Sequence, residues 1–204
     1  VWHTAGVKSF DDLVTREITT GATGDGSSAY TYPLVMNKVL GTKFKIIKGY
    51  KSIPEVQIAM ERGEVQGRCG WSWSSVKSTR ANWLKDNQIN ILVQLSMKKH
   101  PDIPNVPLVL DLAKTKEETQ MLRLVFARQA MGRPFMAPPD VPADRVKILR
   151  AAFMATMKDK EFLAEAAKGQ IEIDPVSGEE VQNIMREAYA TPADLVKRVA
   201  AIVK

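Results

Sequence analysis

The stretch Gly21-Ala22-Thr23-Gly24-Asp25-Gly26-Ser27-Ser28 constrains the fold more than any other part of this chain. Glu17-Ile18-Thr19-Thr20 before it reads as a short strand, and Ala29 to Leu40 after it is a mostly apolar run at helical spacing that ends at Gly41. A strand, a glycine-rich turn and a helix start therefore follow one another directly. Three glycines let backbone amides come close to a ligand, and Ser27 and Ser28 can cap the helix while offering hydroxyl donors. Such a helix start carries unpaired N–H groups and a partial positive charge, so its favoured guest is an anion: carboxylate, phosphate or sulfate. Gly/Ser turns of this kind also serve as plain connectors. The order is GxxGxG with no Gly-Lys-Ser/Thr ending, which excludes a P-loop and a dinucleotide fingerprint.

With 204 residues, 45% of them hydrophobic, the chain can build one large domain or two small lobes around a packed core. Its 29 Lys and Arg against 23 Asp and Glu leave a net charge of +6, spread without a dense run. That distribution favours small anions or plain solubility over a nucleic-acid groove. Cys69 is the only cysteine, so no internal disulfide is expected. No apolar stretch nears the roughly 18 residues of a membrane span. Val1 is an unusual start for a natural chain and reads as the start of a mature or shortened form.

Taken in order, helices and strands alternate. Ser9 and Asp12 open a short helix through Leu13, and Pro33 is expected to kink the helix after the glycine turn or delay its regular part. Phe44-Lys45-Ile46-Ile47 is a second strand, with Lys48-Gly49-Tyr50 as its turn. Ser52 with Pro54 and Glu55 caps a helix whose buried stripe is Val56, Ala59 and Met60 and whose stop is Gly63. Glu64 to Gly67 reads as a third strand, and Asn90 to Leu95 as a fourth. Between them, Arg68-Cys69-Gly70-Trp71-Ser72-Trp73-Ser74-Ser75 forms a second candidate binding turn before another helix. Of Trp71 and Trp73, one is expected to pack under the loop and the other to line a pocket, since alternate residues of an extended segment face opposite sides.

His100 to Pro107, with three prolines, breaks the rhythm and reads as a crossover between lobes. The second half is more helical. Thr115 with Glu118 caps a helix through Phe126, and Arg133 to Met136 is a candidate strand. Val146, Leu149, Phe153 and Met157 share one face of a helix over Ala143–Met157. Lys160–Lys168 is a helix, Ile171 to Ile173 a last strand, and Ser177 with Glu180 a capping box. The final helix begins at Thr191-Pro192 and turns Leu195, Val199 and Ile202 inward. The fold class is α/β, with parallel or mixed sheets flanked by helices.

Catalytic groups are sparse. Neither His3 nor His100 has a neighbour suggesting a base or a metal pair, and Asp11-Asp12 and Glu117-Glu118 suit helix starts. Cys69 adjoins the second turn, but a lone cysteine is most often packed and inert. The expectation is no enzyme, no metal and no cofactor.

Four blocks, GATGDGSS, KGYKSIPEVQIAMERGEVQGR, PDIPNVPLVLDLA and RPFMAPPDVPADRVKILRAAF, together resemble the receptor component of tripartite tricarboxylate transporters, the Bug-type periplasmic solute-binding proteins. The resemblance implies a periplasmic-binding-protein type II fold of two lobes, a periplasmic location, a small di- or tricarboxylate ligand, membrane transporter components as partners, and no nucleic acid. Relatives carry a further N-terminal stretch of roughly a hundred residues that builds most of the first lobe. Residues 1–100 would then be the second lobe with the binding turns, and 101–204 the crossover and C-terminal part of an incomplete first lobe. On that reading Val146, Leu149, Phe153, Leu195 and Val199 lack part of their burial partners, and the chain is expected to self-associate or to order its second half loosely.

By the resemblance, Thr23, Gly24, Gly26, Ser27 and Ser28 contact the ligand. The two turns add Asp25, Arg68, Gly70, Trp71, Ser72 and Trp73 to the candidate ligand-binding set, and the turn after the second strand adds Tyr50. Asp25 in an anion-binding turn must point away or be offset by Arg68 or Lys48. Gln66 stands where many relatives carry aspartate. Two other readings stay open: an α/β enzyme holding a phosphorylated substrate at the glycine turn, and the effector-binding domain of a transcription regulator.

Overall fold

The computed structural model describes residues 1–204. The Ser9 hydroxyl accepts from the Asp12 N–H at 3.3 Å and the Asp12 carboxylate from the Ser9 N–H at 3.0 Å, a reciprocal cap that starts α1 (Phe10–Thr15). Strands β1 (Ile18–Ala22) and β2 (Phe44–Lys48) pair in parallel, with Ile18 opposite Phe44 and Ala22 opposite Lys48. Parallel neighbours need a crossover, and α2 (Ser28–Leu40) supplies it, burying Tyr32, Val35 and Met36. Pro33 lies inside α2 without delaying it, since the helix is regular from Ser28 on. Gly41, at φ 71°, closes the helix in the left-handed conformation that a side chain would oppose.

β1 runs two residues further than expected, so the glycine turn proper begins at Thr23. Gly21 belongs to the strand and serves packing rather than a ligand: a Cβ there would lie 2.6 Å from a Val56 methyl. Val56 is on α3 (Ile53–Glu61), whose stripe Val56, Ala59 and Met60 is buried as expected. Ser52 makes no side-chain cap bond; Glu55 instead reaches back to the Lys51 N–H at 2.8 Å.

Four expected strands do not form. Gln66 and Gly67 do run parallel beside β1, with Gln66 N–H and Gly67 N–H donating to Thr19 O and Gly21 N–H to Gly67 O. The ladder stops at the single bridge between Thr20 and Gly67, because the Gln66 side chain takes the Thr19 N–H at 2.9 Å that a longer strand would pair with backbone. Asn90 to Leu95 makes one bridge, from Gln94 to Leu108, and Pro107 before Leu108 has no N–H with which to extend it. Arg133 to Met136 and Ile171 to Ile173 are irregular, with Phe135, Met136 and Ile171 exposed.

Short helices α4 (Trp73–Thr79) and α5 (Ala81–Lys85) follow the second turn. A full box of Thr115 and Glu118 then caps α6 (Lys116–Ala130), the Glu118 N–H donating to the Thr115 hydroxyl at 3.1 Å and the Thr115 N–H to the Glu118 carboxylate at 3.2 Å. Beyond it come α7 (Ala143–Thr156), α8 (Lys160–Lys168), α9 (Gly178–Tyr189) and α10 (Ala193–Val203). No helix is long and apolar enough to cross a membrane.

The chain divides into two compact units, Val1–Phe126 with Thr191–Lys204, and Ala127–Ala190. In the first, α10 packs on α2, and Tyr32, Met36, Leu122, Phe126, Leu195 and Val199 share one core. Tyr32 and Phe126 meet edge to face at 5.0 Å. Leu195 and Val199 are therefore fully partnered, contrary to expectation. The second unit is held by the Arg150–Glu179 ion pair at 2.8 Å and by the Phe135–Phe153 ring contact at 5.3 Å. Within it Val146, Phe153 and Met157 are half-buried, whereas Leu149 points to solvent at 58% exposure instead of sharing their face.

Candidate functional site

Because β1 lies between β2 and the Gln66–Gly67 segment and all three run parallel, their carboxyl ends lie side by side. Ligands of parallel α/β sheets bind beyond that end of the strands. Three loops leave it here: Thr23–Ser27 after β1, Lys48–Tyr50 after β2, and Arg68–Ser72 after the bridge.

In the first loop Gly26 takes φ 78°, which turns the chain into α2, and no atom lies within 4 Å of a Cβ built on Gly24 or Gly26. Ser27 is the N-cap: its hydroxyl accepts from the Tyr30 N–H at 3.3 Å and donates to Gly24 O at 2.8 Å. That hydroxyl is thus committed to the fold. Ser28 is less so, donating only to Gly70 O at a long 3.5 Å. The Ser28 and Ala29 N–H groups make no hydrogen bond within the chain, so the start of α2 keeps two donors open.

The second loop meets the first at Gly70. Its φ of 69° and the 2.7 Å that would separate a Cβ from the Ser28 hydroxyl leave room for glycine alone. The loop from β2 neutralises Asp25, with Lys48 Nζ 2.9 Å from its carboxylate and 5.1 Å from the Tyr30 ring centre. Hydrogen bonding to Asp25 holds the Lys48 pKa above its ordinary value. Of the two cations foreseen as its partner, Lys48 is the one that pairs, and Arg68 does not. Tyr50 lies against the strand, its ring 3.2 Å from a Cβ built on Gly21, and burial raises its pKa ahead of a smaller effect of Glu64.

Arg68 places its guanidinium over the Trp71 ring, 4.4 Å from the centre, and Trp71 rests edge-on against buried Trp83 at 5.8 Å. Arg68 Nε and Nη1 are buried and have no hydrogen-bond partner. Burial pulls the Arg68 pKa down to about 10 and pushes the neighbouring Cys69 thiol up to about 12, so the first stays charged and the second neutral at pH 7.

Trp73 turns elsewhere. It starts α4, and its Nε1 donates to Asp102 at 2.9 Å, beside Lys77 Nζ at 2.7 Å and with the His100 ring 6.2 Å away. Ser72 is exposed and bonds to the Ser75 hydroxyl at 2.8 Å. Sequence reasoning passed over Asp102 and Lys77, although Lys77 stands one helical turn after Trp73 on the same face. It also passed over Gln94, whose buried amide binds Ile103 O, Val106 O and the His100 N–H and so shapes the proline-rich segment. Nothing in the local pattern marks that glutamine. No group of three or more His, Cys, Asp and Glu side chains could hold a metal ion.

The sequence matches no known protein family and no curated protein. Its fold does have solved likenesses. A TctC solute-binding protein from Polaromonas, without ligand, superposes with a TM-score of 0.66 at 13% identity, over 97% of this chain and 64% of that one. R. palustris Rpa4515, solved with adipate, does so with a TM-score of 0.57 at 17% identity, over 100% of this chain and 63% of that one. The chain thus spans less than two thirds of either length. Its mixed α/β fold is the periplasmic-binding-protein-like fold of those solute-binding proteins, in agreement with the resemblance carried by the four sequence blocks.

Proposed function

We propose that this chain is the ligand-binding part of a periplasmic, non-enzymatic receptor that captures a small di- or tricarboxylate for a tripartite tricarboxylate transporter. The observation that carries the reading is the start of α2, where the open Ser28 and Ala29 N–H groups and the weakly engaged Ser28 hydroxyl face a glycine turn at the carboxyl end of a parallel sheet. Donors so placed, with a helix dipole behind them, suit a carboxylate. Thr23, Gly24 and Gly26 form the turn, Tyr50 and Trp71 the flanks, and Arg68 and Gly70 the second loop. Ser27 and Asp25 serve by capping the helix and balancing Lys48, while Ser72 and Trp73, bonded to Ser75 and Asp102, make no ligand contact in this reading. The presence of adipate in Rpa4515 supports a dicarboxylate.

Residues 1–100 as the ligand-bearing lobe, and 101–204 as the crossover with the C-terminal part of the first lobe, belong to the same proposal. A ligand that bridges two lobes favours the closed receptor, which the membrane components then recognise. Calorimetric titration with acetate, succinate, adipate, citrate and inorganic phosphate tests the reading. At least one di- or tricarboxylate is expected to bind, and more weakly in Ser28→Ala. Binding of phosphate alone would favour the enzyme reading, and binding of none of the five would end both.

A further inference from the structure

The charges around the site do not balance. Asp25 is matched by Lys48 at 2.9 Å, while Arg68 forms no ion pair with any Asp or Glu of the chain. Cys69 beside it offers no negative charge, being a neutral thiol. One guanidinium is thus left over, pinned against Trp71 with Nε and Nη1 empty. A buried cation without an anion is costly to keep, so such an arrangement points to a partner that arrives from outside. Nη2 is not among the sealed, unpaired nitrogens. A carboxylate from outside therefore meets the guanidinium charge through Nη2, since the other two nitrogens are closed off.

We propose that Arg68 is the charge-selecting residue of the site, receiving one carboxylate of the solute at Nη2 while Trp71 holds the guanidinium flat. The inference rests on the carboxylate reading above and adds to it a division of labour. The glycine turn and Ser28 supply hydrogen bonds that a neutral amide could also use; Arg68 supplies the discrimination between an anion and its uncharged analogue.

The test compares succinate, citrate and neutral succinamide on the wild type, Arg68→Gln, Arg68→Lys and Trp71→Phe, by calorimetry and by tryptophan emission. Succinate or citrate is expected to bind the wild type and to lose about 30-fold or more in Arg68→Gln, the scale for removing one member of a buried charge pair. Arg68→Lys loses about tenfold, because a compact, strongly hydrated ammonium cannot lie flat on Trp71 as the guanidinium does. Succinamide binds weakly and equally to the wild type and Arg68→Gln. Ligand quenching of emission is present in the wild type and absent in Trp71→Phe. The free Arg68→Gln protein melts no lower than the wild type, which a merely structural arginine would not permit. Should Arg68→Gln fail to fold, the inference is overturned on that count, and Arg68→Lys then reports only on the guanidinium's placing against Trp71. Equal carboxylate affinity in the wild type and Arg68→Gln overturns the inference and leaves the carboxylate reading standing. Absence of succinate and citrate binding in the wild type removes both.

Discussion

Lys48, the last residue of β2, sits 2.9 Å from the carboxylate of Asp25 in the loop after β1, so a neighbouring strand cancels the one negative charge in the glycine turn. Lys48→Ala should leave Asp25 facing the incoming anion and weaken carboxylate binding roughly three- to tenfold, the range for like charges some distance apart near water. Adding Asp25→Asn should restore most of the loss. A double variant as weak as Lys48→Ala alone would mean that Lys48 acts on the ligand directly.

The two serines divide their work. Ser27→Ala removes the N-cap and should cost about 1 kcal/mol of stability, seen as a melting temperature lower by about 2–4 °C for a chain of this size. Ser28→Ala should leave melting unchanged and weaken carboxylate binding by about 1.5–3 kcal/mol, as for a hydrogen bond to a charged group. Identical melting and binding profiles for the two variants would contradict the separation seen in their hydrogen bonds.

Gly21 is a packing glycine. A Cβ at that position meets Val56 at 2.6 Å, so Gly21→Ala should destabilise by about 1–3 kcal/mol through overpacking. Gly21→Ala combined with Val56→Ala should recover part of that loss, as read by chemical denaturation. Additive losses in the double variant would place the strain elsewhere.

Asp102 accepts from Lys77 and Trp73, and these bonds, Lys77 first, hold its carboxyl below the usual carboxylate range. A pKa lower in the folded than in the unfolded chain means that the contact stabilises above the ordinary value and is lost as pH falls through the lowered one. Trp73 emission should therefore titrate with a midpoint below about 3.9, the unperturbed Asp value. Asp102→Asn should abolish that titration. A midpoint at or above the ordinary value would show that the carboxylate is not held this way.

Leu195 is 3% exposed and Leu149 58%. Leu195→Ala should cost about 2–5 kcal/mol, as for other buried leucines, whereas Leu149→Ala should stay within about 0.5 kcal/mol. Hydrogen exchange over α10 reports the first loss directly. Equal effects would mean that the two helices do not differ in burial as described.

Much of this protein could be read without coordinates because its signals are local. The caps at Ser9 and Thr115, the apolar stripe of α3 and the glycine stop of α2 depend on residues three or four apart, where helix geometry alone decides the partner. The order of β1, glycine turn and α2 was legible for the same reason. What only the tertiary structure decided were pairings between distant segments. Asn90 to Leu95 has strand composition, yet its pairing stops at the single bridge from Gln94 to Leu108, next to Pro107, and so it never becomes part of a sheet. Glu64 to Gly67 stops at one bridge because a glutamine side chain occupies the place of backbone. Whether Lys48 or Arg68 would balance Asp25 depended on which comes within reach once the strands are paired, and the register that sets Ala22 opposite Lys48 brings Lys48 there. An isolated charge carries no mark in the sequence; it is defined by the absence of an opposite charge within a few ångströms, and only folding settles that distance.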